Sequence, residues 1–114
     1  MFAVIYRGYI KPDLEEEYQK HWKMVATYFV QYRGALGSTL HKSNDGMWIA
    51  YSRWPDKATR DSSWPRDQEA VNSSFPLSIY EAITGIKACL DTSRLLPEIC
   101  MEIKEMISPV TASF

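Results

Sequence analysis

The sequence predicts an α+β domain whose elements follow the order β-α-β-β-α-β. Three observations indicate this order. The chain opens on a run of β-branched and aromatic residues, an Asp-Gly pair separates two strand-like runs near its middle, and two segments repeat apolar residues at helical spacing. A length of 114 residues suits one hydrophobic core. We therefore expect a single domain over 1–114, with a core over about 2–107 and a tail over 108–114.

The composition excludes several classes of protein. The 13 basic and 14 acidic side chains give a net charge of −1, without the basic excess of proteins that bind nucleic acids or membrane surfaces. No apolar run reaches the roughly 18 residues of a membrane span. The apolar N-terminal run ends at Arg7, which is too early for a signal peptide. We expect a cytoplasmic protein that binds neither nucleic acid nor membranes.

Cysteine and histidine usage gives no sign of a metal centre. Cys89 and Cys100 match no zinc or redox spacing, and we expect both to be reduced thiols. The sequence has two histidines, His21 and His41. With the two cysteines they do not form the ligand pattern of a typical metal site. The sequence therefore predicts no metal and no disulfide.

The first strand is predicted over Phe2–Ile10, before Lys11-Pro12. Both of its alternating faces are largely apolar. Such a strand is covered on both sides of its sheet. The helices of this chain can cover one side, and a second subunit is the simplest cover for the other.

The first helix is predicted to begin at Asp13 and to stop at Gly34. Asp13 and Glu16 have the spacing of a capping box, and Glu15, Glu16 and Glu17 suit the positive end of the helix dipole. Apolar residues recur every three or four positions, which predicts one buried stripe. Its members are Leu14, Tyr18, Trp22 (or His21), Val25, Phe29 and Tyr32.

The second half of the chain predicts a hairpin, two helices and a last strand. Asn44-Asp45-Gly46 joins strands at Ala35–Ser43 and Met47–Trp54. A short helix follows at Lys57–Trp64, and a longer one begins at Pro76 with a stripe of Ile79, Ile83, Ile86 and Leu90. The last strand is expected over Glu98–Ile107. The result is a ferredoxin-like, four-stranded antiparallel sheet with helices on one face.

Three segments carry a resemblance to a known family. They are MFAVIYRGYIKPDLEEEYQKHW, RGALGSTLHKSNDGMWIAYSRWPDKATRDSSW and LLPEICMEI. They resemble the antibiotic biosynthesis monooxygenase family of the dimeric α/β-barrel superfamily over about residues 2–107. The most specific marker is Trp54-Pro55-Asp56, followed by the helix that ends in Trp64.

The resemblance implies a homodimer whose two sheets pack face to face, with a pocket in each subunit between the sheet and its own helices. Members of the family oxygenate flat phenolic molecules such as anthrones and quinols with O₂ and without a metal or organic cofactor. A haem-degrading branch uses an axial His after the pocket Trp and an Asn in the first strand. This sequence has neither residue, so haem degradation is not expected.

The resemblance also indicates where a substrate would bind. Trp64 would stack on a flat aromatic ring, although it could instead only cover the core. The oxygenase branches carry an Asn four residues before this Trp and a Tyr nearby, whereas this chain has Arg60 and no Tyr over Arg66–Ser74. Asn72 could supply an amide from that region.

Five other side chains are candidates for the same site. His41 or His21 would be the base that ionises the substrate, because histidine titrates near neutral pH. Tyr51 and Tyr6 could donate a hydrogen bond to a carbonyl, and Arg53 could hold an anionic oxygen. Each of them could instead have a structural role on a helix flank, at a sheet edge or in an ion pair.

We therefore expect a homodimer that oxidises a flat aromatic or phenolic molecule with O₂ and no cofactor. The alternative is a dimeric ligand-binding or stress-response module on the same fold, because a fold does not determine a function. Oxygen uptake in metal-free buffer distinguishes the two.

Overall fold

A computed structural model describes residues 1–64 and 75–107 of the chain. Over these residues the predicted order of elements is confirmed. The strands are β1 (Phe2–Gly8), β2 (Gly37–Lys42), β3 (Trp48–Trp54) and β4 (Ile99–Glu102), and the helices are α1 (Glu15–Tyr32), α2 (Lys57–Ser63) and α3 (Leu77–Cys89). Two 3₁₀ turns lie at Pro12–Leu14 and Thr92–Arg94. None of the helices in these ranges is long and apolar enough to cross a bilayer.

The sheet is antiparallel in the order β2-β3-β1-β4. Successive side chains of a strand point to opposite faces, so the register divides the sheet residues into two sets. The helix-side face, which packs against α1 and α3, carries Phe2, Val4, Tyr6, Leu40, Trp48, Ala50, Ser52 and Trp54. The open face carries Ala3, Ile5, Arg7, Thr39, His41, Ile49, Tyr51, Arg53, Ile99 and Met101.

Phe29 of α1 is the centre of the larger of two buried clusters. Its ring stacks on Trp64 with 4.8 Å between centroids and meets Trp54 and Phe75 edge-on at 6.0 and 5.6 Å. Such aromatic pairs add to the free energy gained by burying their area. One residue thus joins α1, β3, the end of α2 and the chain before α3.

The predicted start of α1 is wrong. Residues Pro12–Leu14 form a 3₁₀ turn, α1 begins at Glu15, and no side chain caps it. The amide of Leu14 donates to the carbonyl of Lys11 at 2.9 Å, so Asp13 lies inside a closed 3₁₀ turn and not at the cap of α1. Tyr32 was also placed wrongly in the buried stripe, since it is 72% exposed.

The end of α1 is confirmed. Gly34 has φ +85°, a conformation that favours glycine, and the amide of Ala35 returns to the carbonyl of Phe29 at 3.2 Å. The predicted short helix is present as α2, and Asp56 caps it. The side chain of Asp56 accepts a hydrogen bond from the amide of Thr59 at 2.7 Å.

Every strand is shorter than predicted. β1 ends at Gly8 because the chain then leaves the sheet and pairs with the end of α3. Ile10 bridges Leu90, and the amide of Asp91 donates to the carbonyl of Tyr9 at 2.8 Å. β4 covers only Ile99–Glu102. Alternating residues beyond it predicted a longer strand, but the ladder with β1 ends at Glu102 and is followed by a single backbone bond, from the amide of Ile103 to the carbonyl of Met1 at 2.8 Å.

Gly85 of α3 lies against His21 of α1. A Cβ at this position would lie 2.5 Å from Nε2 of His21, so glycine is the residue that admits the His21 ring. Cys89 and Cys100 are free thiols, as predicted, the first buried and the second exposed.

Ser52 tests the packing of the helix-side face. Nε1 of Trp54 donates to Oγ of Ser52 at 3.2 Å, and both residues are buried. Replacing Ser52 with Ala leaves the indole N–H without its acceptor, so the free energy of unfolding should fall by about 1–3 kcal/mol in urea denaturation. Ser62→Ala, at an exposed position of α2, should change it by less than about 0.5 kcal/mol. Equal stability of the two variants would contradict this account.

Candidate functional site

A cavity of about 320 Å³ lies between the helix-side face and helices α1 and α3. Its volume is in the range of small-molecule sites. Most of its wall is apolar, and aromatic rings dominate it. Those from the sheet, α1 and the end of α2 include Tyr6, Tyr18, Phe29, Trp48, Trp54 and Trp64. Such a cavity is suited to a flat, largely apolar molecule.

Trp64 caps the C-terminal end of α2 and lies in the cavity wall. Its ring lies nearly parallel to Phe29, at an interplanar angle of 23°, and meets Phe75 edge-on at 5.9 Å. It is only half-buried. The predicted position of Trp64 at a cavity is therefore consistent with a stacking role, while its contacts with Phe29 also serve the core.

A polar cluster lies at one end of the cavity. Nη2 of Arg60 donates to Oη of Tyr6 at 3.3 Å and to both carboxylate oxygens of Glu98 at 2.7 Å. Nη1 of the same arginine contacts Asp61 at 3.2 Å. Tyr6 and Glu98 line the cavity. Burial raises the pKa of Tyr6, and the hydrogen bond from Arg60 offsets this only in part, so the phenol is neutral at physiological pH.

The structure brings three of the predicted site residues to the cavity and leaves three outside its wall. Trp64, Tyr6 and Tyr51 line it, although strand alternation assigns Tyr51 to the open face. The other three are Arg53, His41 and His21, described below. Asn72 lies outside the described residues.

Arg53 and His41 are on the open face of the sheet. The guanidinium of Arg53 lies across β2, where a Cβ on Gly37 would meet Nη2 at 2.9 Å. Nε2 of His41 is 2.8 Å from Oγ1 of Thr39, in an exposed position. His21 packs against Gly85 between the two long helices. The sheet thus separates Arg53 and His41 from Trp64.

Sequence reasoning did not find two members of the polar cluster. Arg60 precedes Trp64 by four residues, the spacing of neighbours on one helix face, and this spacing was a usable signal. Glu98 had no such signal, because it meets Arg60 only through the folding of the chain across 38 positions. Over residues 1–64 and 75–107, no three His, Cys, Asp or Glu side chains are grouped to hold a metal ion.

No protein-family model matches the sequence, and no curated protein is significantly similar to it. Solved structures do match. Rv0793 from Mycobacterium tuberculosis has a TM-score of 0.68 at 17% identity, over 94% of this chain and 98% of its own. An antibiotic biosynthesis monooxygenase matches with a TM-score of 0.61 at 16% sequence identity. The match covers 94% of this chain and 100% of that protein's chain. The chain has the fold of these proteins.

A third match is a variant of SnoaB, a cofactor-independent oxygenase from Streptomyces nogalater. Its TM-score is 0.67 at 13% identity, over 95% of this chain and 97% of its own. Because these identities are low, the matches establish the fold and not the activity. They agree with the ferredoxin-like sheet that the sequence predicts.

Tyr18 provides a test of whether the cavity wall excludes water. Burial raises its pKa from 10.0 to about 12. Between pH 10 and 12 the phenol of Tyr18 loses its proton in the unfolded chain but keeps it in the native chain. Ionisation therefore favours the unfolded chain, and the free energy of unfolding is unaffected below pH 10 and falls as the pH rises towards 12. The loss should be on the order of 2 kcal/mol, measured as the free energy of unfolding between pH 9 and 12.

Tyr18→Phe is the control, since phenylalanine keeps the ring that meets Trp48 at 5.4 Å and has no proton to release. Its stability should fall less over the same pH range. Parallel curves for the two proteins would show that Tyr18 is not held in a dry site.

Proposed function

We propose that this protein is a cofactor-independent monooxygenase of the antibiotic biosynthesis type, acting with O₂ on a flat phenolic molecule. The observation that carries the proposal is the aromatic cavity between sheet and helices. The fold shared with SnoaB, a cofactor-independent oxygenase, supports the same conclusion.

An anthrone illustrates the balance of the reaction. Its CH₂ group, flanked by two rings, loses two hydrogens. One oxygen atom of O₂ becomes the carbonyl oxygen of the product, and the other leaves with the two hydrogens as water. The four electrons that O₂ accepts come from the substrate carbon, so no external reductant is consumed. The protein's part is to bind and orient the ring system and to favour its ionised form.

Trp64 and Phe29 are the side chains that would hold the ring, because they form the aromatic wall beside α2. Tyr6 would donate a hydrogen bond to an oxygen of the substrate. The roles of His41 and His21 as base, and of Arg53 and Asn72 as anchors, stay predictions. The role of Tyr51 stays a prediction as well, because strand alternation assigns its side chain to the open face.

We also propose that the protein is a homodimer joined through the open face. Ile5, Ile49, Tyr51 and Met101 are half-buried in the single chain, and Ile99 is exposed. These side chains form an apolar patch on the open face, and such a patch on a sheet is normally covered. A second copy is a suitable cover, because in a two-fold dimer the same patch meets itself.

Oxygen uptake tests the activity. With dithranol, an anthrone, in metal-free buffer, uptake should exceed that of the protein-free solution. Trp64→Ala should lower kcat/KM by about tenfold or more, because stacking on an aromatic wall contributes on the order of 1 kcal/mol or more to binding and orientation. Tyr32→Ala, which removes an exposed aromatic side chain outside the cavity, should leave the rate unchanged.

Uptake that is unaffected by Trp64→Ala would show that the cavity is not the site. Tight binding of dithranol without any uptake would contradict the oxygenase proposal and would favour the ligand-binding module instead.

Native mass spectrometry tests the dimer. The protein should have twice the mass of one chain, and Ile5→Lys should shift it to the monomer, since a charge at the centre of the open face is costly to bury. Val30→Lys makes the same chemical change at an exposed position of α1 and should remain dimeric. A monomeric wild-type protein would contradict the proposed interface.

A further inference from the structure

The cavity has a second end, away from Trp64, where it meets the smaller of the two buried clusters. The members of that cluster are Ile10, Tyr18, Trp48 and Cys89. Tyr18 and Trp48 line the cavity. Tyr18 and Phe29 are 11 positions apart on α1, so at about 1.5 Å per residue about 16 Å of helix separates them. The cavity therefore extends well beyond the aromatic wall that Phe29 and Trp64 form.

Two hydrogen-bond donors at this second end have no partner. Tyr18 and Trp48 are each 7% exposed, and their rings meet edge-on with 5.4 Å between centroids. Among the residues that the structure describes, no group accepts a hydrogen bond from Oη of Tyr18 or from Nε1 of Trp48. Because buried donors in proteins are nearly always satisfied, this pair indicates an acceptor that comes from outside the chain.

Trp54 shows the opposite arrangement on the same face of the sheet. Its Nε1 donates to Oγ of Ser52 at 3.2 Å, so there the chain itself supplies the acceptor. The side chains packed around Tyr18 and Trp48 are aliphatic, apart from one thiol. They are Ile10, Leu14, Leu40, Ile86, Cys89 and Leu90. None of them carries an oxygen that could accept a hydrogen bond.

The charges closest to the two donors favour a neutral acceptor. The ammonium of Lys42 lies 5.5 Å from the centroid of the indole ring, but it is paired with Glu15 at 2.7 Å. Cys89 is the titratable group that faces Tyr18, and burial raises the pKa of its thiol, which is therefore neutral at physiological pH. Lys87 also lines the cavity, but it is exposed to solvent, which screens its charge. A neutral oxygen loses less hydration than a carboxylate on entering such a site.

We propose that Tyr18 and Trp48 form a second recognition site in the cavity, which binds a carbonyl oxygen at one end of an elongated flat ligand. The inference rests on the proposed function and narrows its substrate class. The ring system held by Trp64 must be long enough to reach this end, such as three or more fused rings, and must carry a neutral acceptor there. A ligand with only hydrocarbon at this end would leave both donors unsatisfied and bind more weakly.

The test compares two flat probes of nearly equal shape, 2-acetylanthracene and 2-ethylanthracene. The first carries a carbonyl oxygen at one end, the second carries none, and neither is a phenol. Binding is measured by quenching of tryptophan fluorescence. Tyr18→Phe should weaken binding of 2-acetylanthracene by about fivefold, the equivalent of one neutral hydrogen bond. It should change binding of 2-ethylanthracene by less than about twofold.

Two further variants identify the donors. Trp48→Phe removes the indole N–H but keeps an aromatic ring, and it should have the same selective effect on the ketone. Tyr32→Phe removes the hydroxyl of a residue that is 72% exposed, and it should leave binding of both probes unchanged. Because the hydroxyl of Tyr18 has no partner in the described part of the chain, Tyr18→Phe should keep the urea midpoint of the wild type at neutral pH.

The carbonyl stretching band of bound 2-acetylanthracene gives a second readout, which does not depend on affinity. The carbonyl carbon is isotope-labelled, so that its infrared band can be separated from the amide bands of the protein. The band should lie at a lower frequency in the wild type than in Tyr18→Phe, because a hydrogen bond to the oxygen weakens the C=O bond.

A loss of affinity for the ketone alone, in both Tyr18→Phe and Trp48→Phe, supports the inference. Equal effects on both probes, no effect, or an effect of only one variant overturns it. Water then satisfies the remaining donors, and the aromatic cavity of the proposed function stands. An unshifted carbonyl band also overturns it. If neither probe quenches the tryptophans, the inference and the proposed function both fail.

Discussion

The packing of Phe29 against Trp54, Trp64 and Phe75 is the interaction on which the rest of the structure depends. It fixes α1 over the sheet, and it holds Trp64 and Phe75 at the two ends of the segment between α2 and α3. The cavity exists because α1 is held in this position, with large rings around a space that they do not fill. The same contacts that stabilise the core therefore also build the site.

The fold could be predicted because its main signals are local. Tyr18, Val25 and Phe29 lie on one helical stripe and are buried as expected. Gly46, with φ +90°, turns the predicted hairpin. The predicted length of a strand was wrong where it depends on a partner that is distant in the sequence. β4 pairs with only four of the seven residues of β1, and alternation along the sequence does not reveal where that pairing ends.

The candidate site was predictable only in part, for a related reason. Trp64 follows from the short helix that precedes it, and Tyr6 from its place in the first strand. Both alternating sets of residues in the strands are largely apolar, so the sequence does not show which face of the sheet each side chain lies on. His41 and Arg53 were therefore chosen as site candidates, although they lie on the open face. Arg60 gains its partners Tyr6 and Glu98 only through the folded topology.

The central claim is that a flat phenolic molecule binds between the sheet and its own helices. A crystal structure with 1,8-dihydroxyanthraquinone, a stable relative of an anthrone substrate, tests it most directly. The account predicts the ligand against Trp64 and Phe29, with one oxygen within hydrogen-bond distance of Oη of Tyr6. A ligand bound on the open face of the sheet, or a cavity that stays empty at saturating ligand, would contradict it.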